Sequence, residues 1–305
     1  FVNHAPDAVG ETAAGEEDRP VLIDPALLLA NDFDADGAVA GQTLDIIAVG
    51  NAQHGSVALT ADGMILFTPD PDYFGPAGFD YTVADGAGGS SVATFSLDLA
   101  PVNDDPVVQG ESTDGAEDTR LLINPADLLA NDSDVDNPHG DLFVSALGSA
   151  EHGSVTWTLG PDGRPWIAFT PDADYSGPAS FEYTVADGAG GTATTRASIN
   201  VTAVNDAPRA AGEAASGDED VGLVFAPGQL LANDFDTDGD ALAIVRVGNA
   251  EHGSVSLDGA GNVVFVPDGD YFGPAGFDYW VADGAGAEAS ARVTLDILPI
   301  NDAPT

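Results

Sequence analysis

Three observations predict that this chain is all-β, built from tandem two-sheet sandwich domains. The 305 residues repeat at a spacing of about one hundred: Asn31, Asn131 and Asn233 stand at matching places, as do His54, His152 and His252, and Tyr73, Tyr175 and Tyr271. That period is too long for a solenoid unit and suits a self-sufficient domain. Within each period, short runs of alternating apolar and polar residues are parted by Gly-, Asp- and Pro-rich turn phrases, with no long helical pattern. Apolar residues make up 44% of the chain, enough for each repeat to build its own core. The expected domains are 1–104, 105–206 and 207–305.

In the first repeat, AVGETAAG (8–15) reads as a weak strand ending at the acidic corner Glu16-Glu17-Asp18. PVLI (20–23) is the second strand, and DPALLLAND predicts a short helical turn. LDIIAVGNA (44–52), GSVALT (55–60) and MILFTP (64–69) follow as strands, parted by NAQHG and TADG, phrases of the kind that close hairpins. PDPDYFGPAG reads as a long corner. In FDYTVADG (79–86), Phe79, Tyr81 and Val83 alternate with Asp80, Thr82 and Ala84. SVATFSLDLAPV (91–102) alternates likewise, with Ala93, Phe95, Leu97 and Leu99 inward. Seven short strands and no long helix predict an Ig-like β-sandwich.

One phrase is written three times: LLANDFDADG (28–37), LLANDSDVDN (128–137) and LLANDFDTDG (230–239). Each sets three aspartates two residues apart: Asp32, Asp34, Asp36; Asp132, Asp134, Asp136; Asp234, Asp236, Asp238. At about 5 Å and an effective dielectric of about 20, each carboxylate pair would cost about 3 kcal/mol, so a folded protein keeps such a cluster with a cation present. Hard oxygen ligands in a tight acidic loop select Ca²⁺. A solvated turn is the plainer reading of one copy, since Asp and Gly favour turns anyway. Three copies in register favour the ion.

The whole chain carries 51 acids against seven arginines, a net charge of −44. Nucleic acid and anionic membrane surfaces are thereby disfavoured as partners. A halophile's acidic coat would spread its acids over strand faces, whereas here they cluster in loops at matching offsets. There is no cysteine, so no disulfide staples these domains, and a metal could take over that role. No apolar run approaches a membrane span. The chain opens with VNHAP and closes with INDAP, which reads as a piece of a longer array of repeats.

If successive strands reverse direction, successive corners alternate between the two ends of each sandwich. The acid loop and VADGAGG then share one pole. Glu17-Asp18, the Asp70/Asp72 corner and the exit linker Asn103-Asp104 share the other. The first junction would offer Glu17, Asp18, Asp70, Asp72, Asn103 and Asp104 against Asp132, Asp134, Asp136 and Asp187. The second would offer Glu117, Asp118, Asp172, Asp174, Asn205 and Asp206 against Asp234, Asp236, Asp238 and Asp283. That is oxygen for about two or three Ca²⁺ ions at six to eight ligands each.

PVNDDP (101–106), AVNDAP (203–208) and PINDAP (299–304) resemble the linker phrase of cadherin repeats. The chain is more similar still to the bacterial cadherin-like tandem repeats, related to VCBS repeats, of large RTX-type secreted adhesins. All three repeats carry that group's recurring phrases: an Glu-Asp entry, LANDxDxD, HGxV, a PDxDYxGP corner, VADG and an Asn-Asp linker. The resemblance implies an extracellular, calcium-rigidified extender at a bacterial surface, exported by type I secretion and serving adhesion and biofilm. It implies an extended array and a monomer whose partners are its own neighbouring repeats. Two departures stand out: Asn3-His4 replaces Asn-Asp at the amino end, and Asn137-Pro138-His139 interrupts the Asp-Gly step, which is expected to alter that loop.

Other chemistries find less support. An EF-hand needs Glu at its twelfth position, where Thr43 and Val245 stand instead. The fixed histidines have no second nitrogen or cysteine ligand nearby, which disfavours zinc, and adjacent turn residues cannot face each other as a Ser/His pair. No repeat holds a catalytic constellation its siblings lack, so no enzyme is expected. Trp166 and Trp280 fall on the outward phase of their strands and are candidate ligand-binding aromatics for a surface glycan, whereas Trp157 falls inward and reads as core. A polysaccharide-binding accessory module is therefore the alternative function.

Overall fold

The computed structural model describes residues 2–37 and 41–301. They fall into two compact units: residues up to Gln109 with Leu129–Ala146 and Thr184–Thr194, and Gly110–Leu128 with Leu147–Tyr183 and everything from Thr195 onward. The residues joining the first repeat to the second lie in the first unit, and those joining the second to the third lie in the second unit.

The first repeat forms strands β1 (Thr12–Glu16), β2 (Val21–Ile23), β3 (Asp45–Gln53), β4 (Gly55–Leu59), β5 (Ile65–Pro69), β6 (Gly75–Ala84) and β7 (Ser90–Ala100). They make a four-stranded sheet, β1-β7-β6-β3, and a three-stranded sheet, β2-β5-β4. The second repeat supplies β8 (Ser112–Ala116), β9 (Leu121–Ile123), β10 (Phe143–Glu151), β11 (Gly153–Leu159), β12 (Pro165–Pro171), β13 (Gly177–Ala186) and β14 (Thr192–Thr202). The third supplies β15 (Ala214–Asp218), β16 (Leu223–Phe225), β17 (Ala243–Glu251), β18 (Gly253–Leu257), β19 (Val263–Pro267), β20 (Gly273–Ala282) and β21 (Glu288–Leu298). Both repeat the same four-plus-three arrangement. The expected fold class is the one observed.

The core follows from the alternation. Phe79, Tyr81 and Val83 on β6 and Ala93, Phe95, Leu97 and Leu99 on β7 are all buried, with Ile65 and Phe67 of β5 facing them from the other sheet. The third repeat rebuilds this core from Phe277, Tyr279, Val281, Val293, Leu295, Ile297, Val263 and Phe265. Each fully buried apolar side chain of this size contributes roughly 1.5–3 kcal/mol. The predicted helical turn is Pro25–Leu28, capped where Asp24 Oδ1 accepts from Ala26 N at 2.9 Å, with Leu28 plugging the core. Ala226 cannot cap in this way, and Gln229 reaches back to its amide at 2.9 Å instead.

Several local expectations change. NAQHG does not close a hairpin: β3 pairs with β6 and β4 with β5, so this corner carries the chain from one sheet to the other. TADG does close the β4–β5 hairpin. β6 begins at Gly75, inside the stretch read as corner, because its first residues pair with the end of β7. The first strand is shorter than 8–15, starting at Thr12, and pairs in parallel with β7. Trp157 is 43% exposed rather than core. It sits opposite buried Ile167, hence on the inner face, but β11 is the edge strand of its three-stranded sheet.

The crossing corner explains the fixed histidines. His54, His152 and His252 have φ of 55°, 57° and 56°, which turns the chain between sheets. Their rings lie parallel on Tyr73, Tyr175 and Tyr271, with centroids 3.8, 4.1 and 4.1 Å apart. The following glycine is obligatory: a Cβ on Gly55 would lie 2.6 Å from the Phe67 ring and 2.5 Å from Thr68 O. Each tyrosine hydroxyl donates to a proline carbonyl three residues on, at 2.9, 2.8 and 2.7 Å. The stack thereby holds the aspartate corner in place. His252→Ala is expected to destabilise the chain by about 1 kcal/mol, read as a lower midpoint in urea, with the Asp270 corner loosened.

Candidate metal centre

In the first unit, the exit pole of the first sandwich, its linker and the loops of the second repeat bring acids together from five sequence stretches. Glu17 is 1% exposed, and its Oε1 accepts from Val102 N at 2.7 Å, drawing the linker onto the β1–β2 corner. Asp18 and Asp72 both take left-handed backbone, φ 59° and 57°, and Asp18 Oδ1 accepts from Asp72 N at 3.1 Å. Aspartate tolerates this region better than most residues, though less well than glycine. Asp104 N donates to Asp136 Oδ2 at 2.7 Å, and Asp134 Oδ1 accepts from Asp136 N at 2.9 Å. Asn103 Nδ2 reaches Asp187 Oδ2 at 2.6 Å, while Asp187 Oδ1 gathers the amides of Ala189, Gly190 and Gly191. Linker and acid loop are thus bonded to each other before any ion is considered.

Carboxylate oxygens of Asp18, Asp72 and Asp104 lie within 4.8 Å of one another. Buried oxygens of Glu17 (Oε2), Asp104 (Oδ2) and Asp134 (Oδ2) have no hydrogen-bond partner. Burial, then the charges of Asp18, Asp136, Asp72 and Glu17, pushes the Asp104 carboxyl above its ordinary 3.8. Asp187 is held below that value, first by the Asn103 amide and also by its backbone donors.

The second unit repeats the arrangement. Glu117 Oε1 accepts from Val204 N at 2.7 Å, Asp118 Oδ1 from Asp174 N at 3.3 Å, Asp238 Oδ2 from Asp206 N at 2.7 Å, and Asp283 Oδ2 from Asn205 Nδ2 at 2.8 Å. Asp118, Asp174 and Asp206 form the second group within 4.8 Å. Oδ2 of Asp206 and of Asp236 are buried and unpartnered. Burial followed by Asp118, Asp174, Asp238 and Glu117 raises the Asp206 carboxyl; the Asn205 amide lowers Asp283. The second junction also holds a partial countercharge: Arg209 Nη2 lies 3.9 Å from Asp174 Oδ2.

Not every expected ligand joins these groups. Asp70 and Asp172 are exposed and belong to neither triad. The first aspartate of each triplet turns to the segment that leads into its repeat's first strand: Asp32, Asp132 and Asp234 accept from the amides of Val9, Gln109 and Ala211. Asp234 also lies 3.2 Å from the Tyr279 hydroxyl, which bonds Glu213 as well. Tyr81 bonds Glu11 at 2.8 Å in the same manner. These Glu–Tyr pairs escaped the sequence reading, although Glu11, Glu111 and Glu213 each stand immediately before the first strand of their repeat. At the amino end, His4 takes the linker aspartate's place. Its amide donates to Asp36 Oδ2 at 2.7 Å and its Nδ1 lies 3.0 Å from the same oxygen. Asn137-Pro138-His139 adds a turn of 3₁₀ helix, His139–Asp141, yet keeps the Asp134–Asp136 geometry of the third repeat.

The candidate aromatics are partly covered. Trp166 Nε1 donates to Asp162 at 3.0 Å, and the Trp280 ring carries the Arg246 guanidinium 3.8 Å from its centroid. The donor sets at both junctions are hard oxygen throughout, with orphaned buried carboxylate oxygens, which is what a divalent cation would complete. Neutralising one triad member tests the assignment: Asp72→Asn is expected to weaken calcium binding roughly tenfold or more by calorimetry, and Asp70→Asn to change it by less than about twofold.

A family model described as cadherin-like domain matches three times, over residues 2–100, 102–202 and 204–298. No curated protein matches. Similar solved structures include protocadherin gamma B2 extracellular cadherin domains 1–5 (16% identity, TM-score 0.41, covering 96% of this chain and 59% of that one). The human desmocollin-1 ectodomain is another (14%, TM-score 0.40, 98% and 62%), as is mouse clustered PcdhgC3 EC1-3 (15%, TM-score 0.41, 95% and 99%). The chain spans less than two thirds of the first two. With the family model matched along nearly its whole length in three consecutive copies, this chain belongs to the cadherin-like domain family.

Proposed function

We propose that this chain is a calcium-binding, calcium-rigidified extender of a bacterial surface or secreted adhesin of the RTX type, working in cell adhesion and biofilm. It acts outside the cell after type I secretion, as a monomer and without catalytic activity. The observation that carries the reading is the paired carboxylate triads, Asp18/Asp72/Asp104 and Asp118/Asp174/Asp206, each joining a sandwich's exit corners to the following linker. Bound Ca²⁺ supplies the positive charge these oxygens lack. Asp136 and Asp238 accept from the linker amides of Asp104 and Asp206, Asp134 and Asp236 hold them in place within the acid loop, and all four add ligands from the next repeat. Asn103 and Asn205 hold Asp187 and Asp283 in place. An ion ligated from both sides of a junction fixes its angle, so a series of such junctions transmits position to a distal binding domain.

Small-angle scattering in calcium and in chelator tests this. The reading requires the maximum dimension and the spread of conformations to differ between the two; identical profiles would remove the spacer mechanism.

A further inference from the structure

We infer that the second repeat carries a binding groove for a short neutral saccharide on the outer face of its four-stranded sheet. A cleft of about 560 Å³ lies there across β8, β13, β14 and the end of β10, within the size range of small-molecule sites. Arg196, Ser198 and Asn200 alternate outward along β14, a run of polar side chains about 13 Å long at strand rise. At one end Arg196 Nη1 is fixed by Glu151 Oε2 at 2.8 Å and Ser180 Oγ at 3.1 Å. At the other, Asn200 Nδ2 donates to Asp114 Oδ1 at 3.2 Å. Amide, hydroxyl and guanidinium are thereby held in set orientations before a ligand arrives.

The lining selects the ligand class. An apolar molecule would strand these donors and acceptors. A sulfated or uronic polymer would meet Asp114 and Glu151, with Glu182 3.6 Å from Arg196 Nη2, in a chain of net charge −44. A neutral polyhydroxylated ligand can donate to the carboxylates and accept from Asn200 and Arg196, and the run spans about two to three sugar rings. The sibling repeats lack the full set, although the third keeps an Arg292–Glu251 pair at the place of Arg196 and Glu151. Where β14 and β8 pair Asn200 with Asp114, the first repeat pairs Asp98 with Ala14 and the third Asp296 with Ser216. Gly78 and Gly276 replace Ser180.

The test is a ¹H–¹⁵N titration of the full chain, in calcium, with maltotriose, cellotriose, laminaritriose and mannotriose, and with an anionic trisaccharide as control. At least one neutral sugar is expected to shift Ser112–Asp114 and Arg196–Asn200 with a dissociation constant of about 1–10 mM. Asp114→Ser with Asn200→Asp installs residues that the third repeat already carries and is expected to weaken that binding about tenfold or more, leaving the rest of the spectrum unchanged. No neutral sugar binding up to about 50 mM, equal binding by the double variant, or binding of the anionic sugar alone would each overturn the proposal.

Discussion

Chelating calcium from the folded chain is expected to lower its thermal midpoint by roughly 10–20 °C. At a free concentration about 100-fold above the dissociation constant, one ion stabilises the state that binds it by about 2.7 kcal/mol. About 10 mM Ca²⁺ reaches that ratio for an extracellular-module site of roughly 0.1 mM. In domains of about 100 residues each kcal/mol moves the midpoint by about 4–8 °C. The loss should centre on the junctions, where Asp104 and Asp206 carry buried oxygens without partners, rather than on cores that ions never touch. Differential scanning calorimetry in calcium and in EDTA measures it, and an unchanged midpoint would contradict it. Asp18→Gly separates the two contributions at that corner: glycine relieves the φ of 59° and so favours the ion-free fold, yet it removes a ligand and shrinks the calcium response.

Between pH 4 and 7 the stability of the chain is expected to change in opposite directions with and without calcium. Asp104 and Asp206 titrate in the folded chain above the ordinary 3.8, because burial and neighbouring acids disfavour their charge. A raised folded value means that stability is fully present below 3.8 and is lost as pH rises through the raised value. Asp132 and Glu213, both raised mainly by burial, act in the same sense. Asp187 and Asp283 act in the other: lowered by asparagine amides, they contribute above 3.8 and lose that contribution as pH falls through their depressed values. In EDTA the midpoint should therefore fall from pH 4 to 7. In calcium it should rise over the same interval, since ligation needs the deprotonated carboxylates. Parallel profiles would show that no ion engages these groups.

The fold was largely legible because alternation and turn chemistry agree along the chain. Phe79, Tyr81 and Val83 point inward as a period of two requires, and counting corners placed Glu17, Asp18 and Asp72 at one pole. What alternation cannot show is which sheet a strand joins. NAQHG looks like a hairpin turn, and only the pairing of β3 with β6 reveals a crossing. Nor can it show which strand lies at a sheet's edge, where Trp157 faces inward yet stays exposed. At the junctions the triplets identified the acid loop but not the division of labour within it. Asp32 and Asp234 turn to backbone amides beside Tyr81 and Tyr279, contacts between residues far apart in the chain. The left-handed backbone that sets Asp72 beside Asp18 and Asp104 while its near neighbour Asp70 stays outside the group is equally invisible in the spacing.

The most direct measurement is metal-specific anomalous scattering from a crystal grown in calcium. Ion density bounded by Asp18, Asp72, Asp104 and Asp136, and again by Asp118, Asp174, Asp206 and Asp238, is the predicted result. Well-ordered linkers with no ion between those carboxylates, despite ample calcium, would contradict it.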